Sequence, residues 1–212
     1  MAIMRSLERS SSIAATFPAA DGYPRAGHPR IVAVPDRRCM AVDGEGEPGG
    51  PAFQEAMAAL YGTAYGLHFQ LRDRGVEGHV PPVEGLWIRR EGEQDWATGA
   101  VAFDPSAWRW TLLMPLPDAA TEADVEIALA ASLARRGNGA PGVEVRTLAE
   151  GLVVEAMHVG PYATEPETIA AMHQLAASAG LSPHGAHHEI YLGDPRRSKP
   201  ENLRTVLRQP VS

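Results

Sequence analysis

In the run His187-His188-Glu189-Ile190-Tyr191-Leu192 a carboxylate and a phenol stand two residues apart. In a β-strand that spacing turns both to one face, with His187, and sends His188 and Ile190 to the other. If the Glu189 face lines an apolar pocket, burial raises the carboxyl pKa and the phenol offers a hydrogen bond or a proton. These are the parts of general acid–base chemistry. Glu189 and Tyr191 are therefore the candidate catalytic pair, with His187 beside them as a ligand contact. The same spacing also fits a solvated strand residue or the partner of an arginine, and strongly perturbed carboxylates are the minority.

Tryptophan is the second signal. Trp108 and Trp110 share one face of a strand expected at 108–114, which Met114 closes, and Trp87 lies on the strand expected at 83–90. Three indoles can wall a cleft and stack on a planar ligand, or fill a core, since pocket and core share composition. Tyr61 and Tyr65 follow at helical spacing four, one step off an apolar face, and His68 extends the stripe. Tyr65 is taken as a pocket residue, with helix-to-sheet packing as the competing reading. Glu84 starts the Trp87 strand, where a carboxylate is usually solvated. With Tyr162 and His187, these complete the candidate ligand-binding set of Tyr65, Glu84, Trp87, Trp108, Trp110 and Met114.

Other chemistries find less support. The eight histidines invite a metal, but adjacent His187 and His188 point to opposite faces of a strand, and no helical i, i+4 His pair with glutamate occurs. No G-x-S-x-G segment marks a serine hydrolase, and acids surround Gly44-Glu45-Gly46 where a phosphate loop needs a lysine. Neither metal nor cofactor is called for. A net charge of −7 argues against nucleic acid as the main partner. No apolar run approaches the roughly 20 residues that span a bilayer, and no signal-peptide core is visible, so a cytoplasmic location is expected. Cys39 is the single cysteine, which removes an intramolecular disulfide. The oligomeric state is left open.

The elements that must position these residues form a repeated order. Residues 1–30 read as a loose arm. Ile31–Val42 reads as a bent strand or hairpin ending on Asp43-Gly44-Glu45-Gly46, and a helix follows from Pro51, with Phe53, Met57, Leu60, Ala64, Leu67 and Leu71 on one face and Gly75 as its stop. Two strands come next, with a loop holding Asp95, Gly99 and Asp104 between them. A short helix starts at Thr121, where Asp124 completes a capping box. The second half has a strand or hairpin over 143–159, a helix after a second expected capping box (Thr164 with Glu167), and strands at 186–192 and 203–209. Each half thus reads strand, helix, strand, strand. The expected organisation is one domain over 31–212 with pseudo-repeats at about 31–117 and 121–212.

Five blocks in this order resemble the GyrI-like small-molecule-binding family: Asp43-Gly44-Glu45-Gly46-Glu47-Pro48, Ala59-Leu60-Tyr61-Gly62-Thr63-Ala64-Tyr65, Pro82-Val83-Glu84-Gly85-Leu86-Trp87, Met157-His158-Val159-Gly160-Pro161-Tyr162, and His187 through Arg197. The resemblance implies an α+β, duplicated βαββ fold of the SOUL/GyrI type, with mainly antiparallel sheets lining a central cleft. It also implies a lipophilic aromatic small molecule as ligand, held by buried aromatics and a glutamate. Relatives joined to DNA-binding domains sense lipophilic cations. Stand-alone relatives include cyclopropanoid cyclopropyl hydrolases, which open the strained ring of DNA-alkylating compounds with water. With no helix-turn-helix extension, this chain is expected in the stand-alone group, as a cofactor-independent hydrolase or a non-catalytic sensor or sequestration module. A gyrase-inhibitor-like protein partner is the weaker alternative.

Overall fold

The structure, a computed structural model, describes residues 17–89, 108–137 and 139–212. The expected loop around Asp95, Gly99 and Asp104 lies outside them. The described chain divides into two compact units, one made of residues 17–36 and 149–212, the other of 37–89 and 108–148.

The second of these contains β2 (Arg37–Glu45), α1 (Pro51–Asp73), β3 (Glu84–Arg89), β4 (Trp108–Pro115), α2 (Glu122–Arg136) and β5 (Glu144–Leu148). Its strands run in the order β3-β4-β2-β5, all antiparallel. Pro51 occupies the first turn of α1, where its missing N–H costs nothing, and α1 buries Leu60, Ala64, Leu67 and Leu71 as the spacing predicts. Leu67 and Leu71 pack against Val125 and Ala128 of α2. The Thr121–Asp124 capping box is present at the start of α2.

The other unit contains β1 (Arg30–Val34), β6 (Gly151–Val159), a single 3-10 turn at Tyr162–Thr164, α3 (Glu165–Ser178), β7 (His187–Tyr191) and β8 (Arg204–Pro210). Its antiparallel order is β1-β6-β8-β7. The two units therefore repeat one pattern, a βαββ set with an extra strand at the edge beside its first strand. The architecture is α+β, and the described strand-to-strand ladders are antiparallel.

At neither of the two segments read as a strand or hairpin does the chain pair back on itself. β1 runs directly into β2 yet pairs with β6, and β5 runs into β6 yet pairs with β2. Each edge strand thus lies in the unit to which its sequence neighbour does not belong. The physical reason is burial: Val32 and Val34 need Val153 to cover them, which a two-residue turn back onto β2 could not supply. The described part of the expected loose arm is also tied down. Phe17 packs on the core beneath α3, and Ala19 and Ala26 bridge to Ala33 and Met157.

The two faces of the β1-β6-β8-β7 strands carry different chemistry. On one, Val154, Ala156 and Leu207 pack with Ile31 against Met172 and Ala176 of α3. On the other, Arg30, Glu155, Arg208 and His188 are successive cross-strand partners and form a charged row. Arg208 donates to Glu155 Oε2 at 2.7 and 2.9 Å, and Arg30 donates to Glu155 Oε1 at 2.8 and 2.9 Å. Glu150 accepts from His188 Nδ1 at 2.9 Å and from Arg208 at 3.3 Å. Every carboxylate of this buried row has a cation or an imidazole facing it, as burial of charge requires. Among the described residues no helix is long and apolar enough to cross a membrane.

Candidate functional site

Glu189 lies opposite Leu207 in the β7–β8 ladder, and Leu207 belongs to the core beneath α3. Cross-strand partners share a face, so Glu189 projects to the α3 side, as do His187 and Tyr191 at spacing two. His188 turns away to the charged row, where it meets Glu150. The alternation expected from the sequence holds, and its consequence is a carboxylate, a phenol and an imidazole on the face that α3 covers.

A residue that the sequence reading passed over completes the group. Glu165, the first residue of α3, is 7% exposed. One of its oxygens takes a hydrogen bond from Thr205 of β8, while Oε1 is buried with no partner among the described residues. Burial first, and the nearby Glu189 carboxylate second, push Glu165 up to about 8. Burial likewise pushes Glu189 up to about 7, against the opposing effects of the Tyr191 hydroxyl and His188. In this poorly solvated corner a charged Glu189 makes Glu165 harder still to ionise.

The tyrosines frame this pair. Tyr162, from the 3-10 turn, meets Tyr191 edge to face, and burial together with Glu165, Glu189 and Asp194 holds its hydroxyl protonated, pushed up to about 12. His187 Nε2 lies 3.7 Å from Glu189 Oε1, too far for a hydrogen bond, and burial pushes the ring down to about 3. It is a neutral imidazole. Glu189 keeps a partly open side chain, 16% exposed, and Tyr162 is 40% exposed, so the corner is reachable from solvent.

The remaining candidate residues belong to the other unit. Trp87 and Trp110 are direct cross-strand partners; Phe53 of α1 stacks on Trp87 at 6.1 Å and meets Trp110 edge-on at 5.2 Å. Trp108 abuts Trp87 edge-on at 6.1 Å. The three indoles therefore do gather, with Trp87 and Trp110 buried and Trp108 half-buried. Met114 is fully buried. Glu84, read as a solvated strand end, is instead 1% exposed and held bidentate by Arg37 at 2.9 Å on both oxygens. Tyr65 stands on the outer side of α1, 48% exposed, between Tyr61 and Phe69. A recess of about 60 Å³ lined by Met40, Leu67, His68 and Val80 lies in this unit as well, well below the few hundred Å³ that a drug-sized ligand fills.

The expected second capping box is absent. Thr164 makes no capping bond to α3, because its hydroxyl donates to Pro161 O at 2.9 Å instead.

Comparison with known proteins follows the same lines. Residues 115–212 match the model of a GyrI-like small molecule binding domain. A crystal structure of an uncharacterized conserved protein from Listeria innocua is 35% identical, with a TM-score of 0.77, over 89% of this chain and 94% of its own. Two structures of hydrolases from Listeria innocua are 32% and 33% identical, with TM-scores of 0.72 and 0.73, each over 91% of this chain and 94% of the other. No curated protein matches the chain.

Proposed function

We propose, on the premise that this chain belongs to the GyrI-like small-molecule-binding family, that its site hydrolyses a strained electrophilic ring in a lipophilic aromatic compound. The observation that carries this reading is the pair Glu165 and Glu189, two carboxyls that burial keeps from ionising in the ordinary range, set beside two phenols. One acid and one base of matched pKa in one corner are what the addition of water requires near neutral pH. The hydrolases of Listeria innocua at 32% and 33% identity lend the reaction class support.

In this reading Glu189, the more readily ionised of the two, takes a proton from water as its oxygen attacks a cyclopropane carbon. The ring C–C bond breaks, and its electron pair passes into a conjugated carbonyl, which becomes a phenolate. Tyr162, whose hydroxyl stays protonated, donates to that oxygen as charge develops while Tyr191 holds Glu189, and the neutral Glu165 supplies the proton that leaves a phenol. The product is the substrate plus one water. Ring strain drives the step, so orientation and stabilisation of the oxyanion suffice for catalysis. The aromatic edges of Tyr162 and Tyr191 favour a flat apolar substrate.

The test is incubation of the protein with a cyclopropane-fused dienone alkylator, followed by mass spectrometry. A gain of one water at a rate above the buffer control supports hydrolysis. Saturable binding with unchanged mass supports a sequestration module instead.

A further inference from the structure

We propose that His158 is the positioning residue of this site, clamping the first turn of α3 so that Glu165 and Tyr162 are presented to Glu189 and Tyr191. His158 is 5% exposed and lies on β6, directly opposite Thr205 of β8, which in turn lies opposite Tyr191 of β7. His158, Thr205 and Tyr191 thus form one row across three strands on the α3 side.

Both ring nitrogens are engaged, and they grip the chain on either side of Glu165. Nδ1 lies 2.9 Å from Thr168 Oγ1, within the first turn of α3. Nε2 lies 3.2 Å from both Pro161 O and Thr164 Oγ1, in the turn before it. Thr164 uses its single hydroxyl proton on Pro161 O, and that carbonyl can only accept. Nε2 must then carry a proton and donate, while Nδ1 pairs with the Thr168 hydroxyl. Gly160, at φ 137°, leaves room for the clamp: a Cβ there would sit 3.4 Å from His158 Nε2 and 3.3 Å from Thr164 Oγ1. The Met157-His158-Val159-Gly160-Pro161-Tyr162 block therefore acts as one device, in which the histidine holds the turn that the glycine permits. It also accounts for the missing capping bond of Thr164, whose hydroxyl is committed to this cluster.

The role rests on Glu165 and Glu189 acting as acid and base, and its test has a readout independent of turnover. Glu189 is faced by Tyr191 and His187 on its own strand and by Glu165 and Tyr162 from the turn and α3. Releasing the clamp takes Glu165 away from this group. Carboxyl titrations are followed by ¹³C NMR in the ligand-free protein for the parent, His158→Leu, His158→Gln and Thr168→Val, and kcat and KM are measured on the cyclopropane-fused dienone.

In His158→Leu both carboxyls should titrate closer to the ordinary carboxylate range, and kcat should fall about 10- to 100-fold with KM within about 3-fold. Gln can donate and accept as the imidazole does, so His158→Gln should retain most of both properties. Thr168→Val, which removes the Nδ1 partner alone, should move the same way by less and carries the test if His158→Leu does not fold. Parent-like titrations in a folded His158→Leu or Thr168→Val, or a His158→Gln variant no better than Leu, would overturn the proposal. A parent that fails to hydrolyse overturns the reaction assigned to the site, and the titrations still decide the role of His158.

Discussion

The ring of Tyr162 meets that of Tyr191 edge to face, with centroids 6.1 Å apart and planes at 82°. Tyr162 belongs to the turn ahead of α3, Tyr191 to the end of β7, and the two residues that follow the same elements inward are Glu165 and Glu189. The aromatic contact therefore joins the helix end and the strand end that carry the two carboxyls. Its energetic worth is on the order of 1 kcal/mol beyond burial.

Tyr191→Phe keeps this ring contact and removes the hydroxyl that favours the ionised form of Glu189. Glu189 should then hold its proton to higher pH, and the acid limb of the pH–rate profile should move up. A limb that stays in place would show that the phenol does not tune the carboxylate.

Stability should respond to the same carboxyls. In the unfolded chain Glu165 ionises near 4.5, whereas the folded site holds its proton up to about 8. The folded state binds more protons in that window, so stability is fully present below the lower value and declines as pH rises through the upper one. Glu165→Gln escapes that decline. Its melting temperature should match the parent near pH 4 and exceed it at pH 8 to 9, by thermal denaturation across that range. A gain that does not depend on pH would mean that Glu165 is not a strained carboxyl.

The charged row on the opposite face should matter chiefly for stability. Arg208→Met leaves Glu150 and Glu155 short of a cation in a buried setting and should destabilise the protein by about 3–5 kcal/mol in denaturant titrations. A variant of parental stability would show that the row is not a buried ion-pair network.

What the sequence could reveal of this site followed from distance along the chain. Glu189, Tyr191 and His187 were legible because strand alternation is local and settles which residues share a face. Glu165 was not, because an acid at the first turn of a helix is ordinarily a solvated partner of the helix dipole. Its burial depends on Thr205, forty residues on. The nearest signal was its place just after Gly160-Pro161-Tyr162, a turn too specific for a plain helix start. Thr164 misled for a related reason: its spacing to Glu167 fits a capping box, but His158 and Pro161 compete for the hydroxyl. The exchange of β1 and β5 between units was invisible because both edge pairings are long-range, while the sequence offered an adjacent partner at each.

In the other unit, the packing of Trp110 predicts the effect of one small change. A Cβ at Gly44 would overlap the indole of Trp110, which also donates from Nε1 to Gly46 O at 3.3 Å. Gly44→Ala should therefore displace the ring and destabilise by about 1–3 kcal/mol, with a changed tryptophan emission spectrum. An Ala variant of parental stability and emission would contradict this packing.

The proposed chemistry turns most directly on Glu189→Gln, measured by mass spectrometry for water addition to a neutral cyclopropane-fused dienone and, in parallel, for binding of the same compound. Gln keeps the shape of the side chain and removes the base. The account predicts turnover lower by about 100-fold or more with binding little changed, the usual signature of a lost general base. Turnover equal to the parent would contradict it.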